Sequence, residues 1–377
     1  MRDGVLHAYL NVVNNKALWH LEKMEPARQS ITATRIPRTR HANDPPPFTI
    51  RRHPGWRRPP DLGIDRPGPG AFRFHRVVRR LSLGQAAQKW AELVEERSDG
   101  ELTLRVYPNA QLVSGDQTQE FSAMRSGLID LAVGSTINWS PQVPALNLFS
   151  LPFLLPDAEA VDAVTGGETG EMIFSAIEDK GVVPLAWGEN GFRQLSNSSG
   201  TIDEPADLEG LKIRVVGSPL FQDTFTALGA NPTQMSWADA KPALTTGAVD
   251  GQENPLSVFD VARIDQVGQT HLTLWNYMND PLVFAANRQV WGSLSESQRE
   301  MLRETAVEAG AWEIAKTREE EAARLEAIRE RGVNVTELSE AQHQAFVEAT
   351  ESVHDKWVPR IGEEIVEAAR RDIDASE

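Results

Sequence analysis

Apolar and charged residues alternate in the run LKIRV at positions 211–215. A period of two residues is typical of a half-buried strand, in which every second side chain enters a core. Serine and proline at positions 218–219 form a helix start, and Gly229 is expected to end that helix. The buried face of this helix is predicted to consist of three apolar residues, Phe221, Phe225 and Leu228.

The same order of strand and helix repeats immediately afterwards. A short strand is predicted over 232–235, and Ser236 and Asp239 match a capping box that begins a second helix. This helix is expected to end at Gly247. A third strand is predicted to begin at 248–250 and to end in the run GQENP that follows. The pattern therefore indicates two β-α units in tandem.

Polar side chains occur where each of these strands ends. Arg214 is near the end of the first strand, Trp237 is near the end of the second, and Asn254 is just past the third. In α/β sheets, ligands bind outside the carboxyl ends of the strands, so all three could face one crevice. A guanidinium suits a carboxylate, because it offers two parallel charge-assisted hydrogen bonds. The alternative is that Arg214 is a surface ion-pair partner and that Trp237 belongs to the core.

Two further strand ends carry candidate site residues. An apolar strand is predicted over 128–133, and Asn138 and Trp139 follow it. Core packing is the alternative interpretation of Trp139. A second apolar strand, at 182–187, leads to Arg193, for which an interdomain ion pair is the alternative. Both strand ends are therefore candidate parts of a ligand site.

Helical periodicity is clearest in two places. Four residues at helical spacing predict a buried helix face, and these are Ala87, Trp90, Ala91 and Val94. Alternation at 102–106 then predicts a strand. Further on, Ser295 and Gln298 form a capping box for a helix that reaches Gly332 without a proline, with Trp312 on its predicted buried stripe. About 36 residues at about 1.5 Å each give roughly 54 Å, so this helix is expected to span two domains.

Several short motifs together resemble those of one family. They are LNLFSLPF at 146–153, GFRQLSN at 191–197, KIRVVGSPL at 212–220, ALGANP at 227–232, SWADA at 236–240 and above all VDGQENP at 249–255. On these motifs, the chain from Leu83 to the C-terminus resembles the solute-binding proteins of TRAP transporters, the DctP family.

The resemblance implies an α/β, two-lobed, periplasmic-binding-protein-like fold with crossover hinge strands and a long domain-bridging helix. Lobe I would hold residues 71–190 and 281–319, and lobe II would hold 191–280 and 320–377. The implied function is that of an extracytoplasmic, periplasmic solute receptor, expected to be a monomer. It would bind a small organic acid in the cleft between the lobes and deliver it to the TRAP transporter membrane subunits without catalysing a reaction.

The resemblance also implies roles for the candidate residues. In the family, arginines that match Arg193 and Arg214 lie beside the ligand carboxylate. Arg214 would form a bidentate pair with it, Arg193 would add positive field, and Asn254 would orient the ligand. Trp237 and Trp139 would wall the cleft. The family default is a C4-dicarboxylate, but a sugar-acid type of carboxylate is equally plausible, because no clear second cationic anchor follows the strand ends.

Charge is distributed unevenly along the chain. The 377 residues have a net charge of -16, whereas residues 1–80 alone have a balance of +10 and the remainder a balance of -26. Residues 41–70 contain eight prolines. We predict that residues 1–70 are disordered or come from a misassigned start, since this composition cannot build a core and shows no signal-peptide pattern. Nucleic-acid binding is not expected, because the acidic remainder would repel phosphate.

Composition also restricts the possible chemistry. The chain has no cysteine and few histidines, which argues against thiolate metal sites, zinc sites and cysteine or Ser/His nucleophiles. No cofactor or metal is predicted. With 54 acidic residues in the chain, a pair of catalytic carboxylates is still possible. Asp250 and Glu253 are the pair to consider for the alternative function of an α/β enzyme that acts on a small carboxylate. Capping and hinge bonding are the alternative roles for this pair. A sensory ligand-binding module without transport is the other alternative function.

Overall fold

The computed structural model describes residues 81–108 and 110–376. The segment 1–70 and the first positions of the predicted lobe I, 71–80, lie outside these residues. Helices and strands alternate along most of the described chain, and the strands form a mixed sheet. This is the α/β class expected from the sequence.

The elements have the following bounds. The helices are α1 Ser82–Arg97, α2 Glu120–Arg125, α3 Thr136–Trp139, α4 Ala158–Gly166, α5 Glu168–Asp179, α6 Pro219–Ala227, α7 Trp237–Thr246, α8 Leu256–Val261, α9 Arg288–Ser293, α10 Glu296–Glu330, α11 Glu340–Ala349, α12 Glu351–Ile361 and α13 Glu363–Asp374. The strands are β1 Leu131–Ser135, β2 Val182–Asn197, β3 Lys212–Val215, β4 Asn231–Gln234, β5 Gly251–Pro255, β6 His271–Leu274, β7 Asn279–Asn287 and β8 Asn334–Glu337.

The sheet confirms the tandem β-α units. Its strands hydrogen-bond in the order β1-β7-β2-β5-β3-β4, and β6 pairs with β2 and β8. β3 runs parallel to both β4 and β5. The third predicted strand begins later than expected, because β5 occupies Gly251–Pro255 and residues 248–250 precede it. Asn254 therefore lies inside a strand, opposite Gln194 of β2, rather than just past its end.

The 16-residue strand β2 joins two parts of the sheet. Residues 182–189 pair with β7, and residues 193–197 pair with β5 and β6. The register shifts between Glu189 and Phe192, where Gly191 has a φ of 102° that favours glycine. β2 thus crosses from one set of partners to the other, which is the crossover arrangement of the two-lobed fold.

The long helix α10 has the predicted capping box and contains 35 residues, about 52 Å of helix. Near its start, Leu302 and Ala306 share a core with α1, β1 and β7. Near its end, Ile328 shares a separate core with α7 and α8. The helix therefore connects two cores, as its length predicts. Trp312, however, is not on the buried stripe: it is 38% exposed.

Two other predictions are wrong. Residues 102–106 do not form a strand, although Leu102 and Leu104 are buried. The final helix α13, which the sequence places in lobe II, packs against α4 and α5 of the predicted lobe I. Its apolar face, including Ile373, shares a core with Ile177. Periodicity indicates that a helix has an apolar face but not which partner covers it. The remaining lobe boundaries stay a prediction.

Candidate functional site

A cavity of about 70 Å³ lies where β1, β2, β3, β5 and β7 come together. It shares part of its wall with an adjoining cavity of about 290 Å³. The lining residues of the inner cavity are Leu81, Leu83, Gln117, Ser135, Ile137, Asn138, Asn190, Arg193, Arg214, Val216, Trp237, Asn254, Val258 and Asp280. Five of the six predicted site residues therefore line one cavity, and the sixth, Trp139, does not.

Arg214 of β3 is a buried cation without an acidic partner. Its side chain is 2% exposed, and its Nε and Nη2 donate to the carbonyl oxygen of Met235 at 3.2 and 3.0 Å. Its guanidinium lies 5.6 Å from the ring centroid of Trp237. Among the described residues, no acid forms an ion pair with Arg214. Burial lowers the pKa of Arg214 to about 10, although the charge of Glu253 partly opposes this effect.

Arg193 of β2 is buried as well, but it is neutralised. Its Nε pairs with Glu253, and its Nη2 donates to the other carboxylate oxygen of Glu253 at 2.9 Å. Its Nη1 lies 3.4 Å from Asp280. Burial alone would lower the pKa of Arg193, but the attraction of Glu253 reverses this and raises it. Arg193 is therefore an ion-pair partner that also lines the cavity, but both of its acids lie within the predicted lobe II, so the pair is not the interdomain one that the alternative described.

The other polar residues surround these two arginines. Asn254 of β5 accepts a hydrogen bond from Nη2 of Arg193 at 3.3 Å. Asn138 of α3, which follows β1 in the chain, also lines the cavity. Trp237 is the first residue of α7 and is 7% exposed, so its ring covers the guanidinium of Arg214 and excludes water from it.

The structure corrects the prediction that Trp139 would wall the cleft. Its side chain is fully buried, and its Nε1 donates to Glu120 at 2.9 Å. Its ring packs edge-on against Phe121 and covers Gly134, where a Cβ atom would come within 2.2 Å of the ring. Trp139 therefore belongs to the core behind β1, which is the alternative that the sequence left open.

Sequence reasoning missed one polar cluster in the cavity wall. Asp280, at the start of β7, is 1% exposed. It accepts hydrogen bonds from Ser135 at 2.6 Å and from Asn190 at 2.9 Å. Burial raises the pKa of Asp280, against the opposing effect of Arg193. The available signal was an acidic residue directly before the apolar run PLVFAAN at 281–287.

The arrangement matches a known family of proteins. The sequence profile of the bacterial extracellular solute-binding proteins, family 7 (DctP), matches residues 75–360. This chain belongs to that family.

Individual members of the family are similar over most of their length. The C4-dicarboxylate-binding periplasmic protein DctP of Rhodobacter capsulatus is 32% identical over 305 residues, 80% of this chain and 90% of that protein. The 2,3-diketo-L-gulonate-binding periplasmic protein YiaO of Escherichia coli K12 is 33% identical over 274 residues, 72% of this chain and 82% of that protein.

A solved structure shows the same two-lobed fold. The TRAP periplasmic solute-binding protein of Ralstonia eutropha H16, crystallised with bound (S)-2-acetolactate, is 54% identical to this chain. The TM-score is 0.77, and the match covers 78% of this chain and 96% of that one. Among the described residues of this solute-binding protein, no helix is both long and apolar enough to cross a membrane.

The two acids considered for catalysis have structural roles in this solute-binding protein. Asp250 accepts the backbone N–H of Lys212 at 2.8 Å, which joins the start of β5 to β3. Glu253 is fully buried, pairs with Arg193 and accepts the hydroxyl of Tyr277 at 2.9 Å. Neither acid lines the cavity described above. Their positions fit the capping and bonding roles that the sequence offered as the alternative to catalysis.

Proposed function

We propose that this chain is a periplasmic receptor that binds a small organic acid, with the ligand carboxylate paired to Arg214. The observation that carries the proposal is a buried guanidinium that lines a cavity and has no acidic partner among the described residues. Keeping a charge away from water is costly unless a counter-charge is present. A ligand carboxylate supplies that counter-charge.

The residues around Arg214 would each contribute to binding of the acid in a different way. Nε and Nη2 of Arg214 donate hydrogen bonds to the carbonyl oxygen of Met235. Nη1 has no hydrogen bond among the described residues and is free to donate to a ligand. Asn254 and Asn138 offer amide donors and acceptors for the rest of the acid. Trp237 keeps the ion pair dry, which strengthens it. Arg193 contributes less field than an unpaired arginine would, because two carboxylates already neutralise it.

The similar proteins support the class of ligand. The three proteins bind a C4-dicarboxylate, 2,3-diketo-L-gulonate and (S)-2-acetolactate, respectively. These molecules differ in size and in oxygen pattern, but each carries a carboxylate. A shared carboxylate anchor on Arg214 accounts for that common feature.

We further propose that β2 and β7 act as the hinge. They connect the parts of the sheet that carry opposite walls of the cavity, and bending them would bring lobe I and lobe II together around the ligand. Closure is favoured only by contacts that improve in the closed state. The closed receptor, acting as a monomer, would then pass the acid unchanged to the membrane subunits of a TRAP transporter.

A thermal-shift screen of the full chain tests this function. The panel would contain mono- and dicarboxylic acids, sugar acids, neutral sugars and amines. An acid present at 100 times its dissociation constant should add about 2.7 kcal/mol of stability, whereas the neutral sugars and amines should add none. Stabilisation by neutral sugars, or by no acid in the panel, would overturn the proposal. Unchanged ligand recovered after long incubation would distinguish a receptor from an enzyme.

A further inference from the structure

Two cations and two acids surround the cavity before any ligand binds, and both acids pair with Arg193. Arg193 and Arg214 carry two positive charges, and Glu253 and Asp280 carry two negative charges. Of the two cations, only Arg214 is without an ion pair among the described residues. The site therefore has one place for a carboxylate, and a second carboxylate would need a cation that the described wall does not offer.

Besides the two arginines, Asp280 is the charged residue that lines the described part of the cavity. Its Oδ1 accepts one hydrogen bond, from the hydroxyl of Ser135, and its Oδ2 is shared by Asn190 and Arg193. A carboxylate oxygen has two acceptor positions, so Oδ1 keeps one open. A hydroxyl of the ligand can donate to that position, whereas a second ligand carboxylate would meet a like charge in a dry site.

The other described side chains of the wall are uncharged, and they include both amides and apolar groups. Apolar side chains supply much of its surface, namely Leu81, Leu83, Ile137, Val216 and Val258. They leave room for a short aliphatic portion next to the carboxylate and the hydroxyl. A hydroxyl group that faces these apolar side chains would be buried without a partner, which is costly.

We propose that Asp280 is a specificity-determining residue that accepts a hydroxyl group of the ligand, and that the site selects a compact hydroxy-monocarboxylate over a C4-dicarboxylate. This inference rests on the proposed binding of a carboxylate by Arg214. Arg214 sets the class of ligand, and Asp280 selects within that class.

Ligand pairs that differ in one group test the selection on the unaltered full chain. Calorimetry would compare 2-hydroxy-2-methylbutanoate with 2-methylbutanoate, and both with succinate. A hydrogen bond to a charged acceptor corresponds to about tenfold to a hundredfold in affinity, so the hydroxy acid should bind tighter than its deoxy analogue by that factor. Succinate should bind more weakly than the hydroxy acid.

The variant Asp280→Asn tests the residue itself, because it removes the charge but keeps the size. The ratio of the affinity for the hydroxy acid to the affinity for its deoxy analogue should fall towards one. The affinity for succinate should rise relative to the affinities for the monocarboxylates. Glu253→Gln is the matched control, since it also removes one negative charge beside Arg193 but does not line the cavity. It should change the affinities of all acids alike and keep the hydroxyl preference. Circular dichroism would confirm that each variant folds.

The outcomes separate this inference from the proposed function. Binding of acids with no hydroxyl preference, or with succinate preferred, refutes the role of Asp280 and leaves Arg214 as the anchor. An equal loss of hydroxyl preference in both variants would assign the effect to charge near Arg193 and also refute the inference. If no carboxylate binds the unaltered chain, the proposed function itself fails. Should Asp280→Asn not fold, the ligand pairs on the unaltered chain still decide.

Discussion

Replacing Arg214 with methionine is expected to make the ligand-free protein more stable while removing its ability to bind acids. Methionine is unbranched and fills similar space without a charge. In the ligand-free state Arg214 is 2% exposed and has no ion pair among the described residues, so its charge opposes folding. Binding sites commonly carry such a cost, because a group kept ready for a ligand is not satisfied without it.

The size of the effect follows from the electrostatics of Arg214. Lowering its pKa from the ordinary value for arginine to about 10 corresponds to about 3 kcal/mol against the charged form. Methionine would lose the two hydrogen bonds to Met235 and the contact with Trp237, which are worth about 1–2 kcal/mol together. The expected net gain in the free energy of unfolding is therefore about 1–2 kcal/mol.

Urea denaturation without ligand measures this gain, and calorimetry with the acids that bind the unaltered chain measures the loss of binding. We expect affinity to fall by at least about a hundredfold, as for a truncated buried charge pair. Arg193→Met is the matched control, because it removes a buried arginine from the same cavity. It should instead lower stability by about 3–5 kcal/mol, since it leaves Glu253 and Asp280 without their cation.

A destabilised Arg214→Met variant would refute the argument that this charge is uncompensated. Near-normal affinity for acids in the same variant would refute its role as the anchor. Equal losses of stability in the Arg214 and Arg193 variants would show that the two arginines do not differ in the way that their ion pairs indicate.

Two further predictions concern the long helix. Burial raises the pKa of Glu313 to about 8, so its contribution to stability is complete below its unfolded pKa of about 4.5 and is lost as the pH rises through 8. Glu313→Gln should therefore flatten the pH dependence of urea stability and stabilise the protein at pH 8, by about 4 kcal/mol; an unchanged pH profile would contradict this. Gly310→Ala should destabilise by more than about 2 kcal/mol, because a Cβ atom would lie 2.0 Å from the carbonyl oxygen of Trp187. Gly292→Ala, where nothing lies within 4 Å, is the control and should be neutral or stabilising in the same titration.

Local sequence patterns predicted much of this fold, for reasons that are visible in its elements. The capping box at Ser295 and Gln298 forms as expected, because the residues that cap a helix lie next to one another in sequence. The parallel strands β3, β4 and β5 follow from short periods of alternation and from nearby turn residues. The grouping of Arg214, Trp237 and Asn254 follows in turn, since parallel strands end at one edge of a sheet.

The parts that were missed depend on distant contacts. Whether Trp139 faces a cavity or a core depends on Gly134 and Phe121, which no period of its own segment reveals. The pairing of Arg193 with Asp280 joins residues that are 87 positions apart. It depends on the antiparallel register of β2 with β7, which the local pattern does not set.

The ion pairs of Arg193 have a consequence for the proposed hinge. Arg193 lies where β2 exchanges β7 for β5 as its partner, and its two carboxylates come from those two strands: Glu253 is on β5 and Asp280 is the second residue of β7. This buried cluster contains side chains from both strands. It opposes separation of β5 from β7, because separating them would leave buried charges without partners. Under the proposed hinge, we therefore expect the strands to bend around this point rather than slide past each other. Arg214 lies beside the cluster but outside its ion pairs, so a ligand carboxylate can engage it without disturbing the contacts that hold the crossing together.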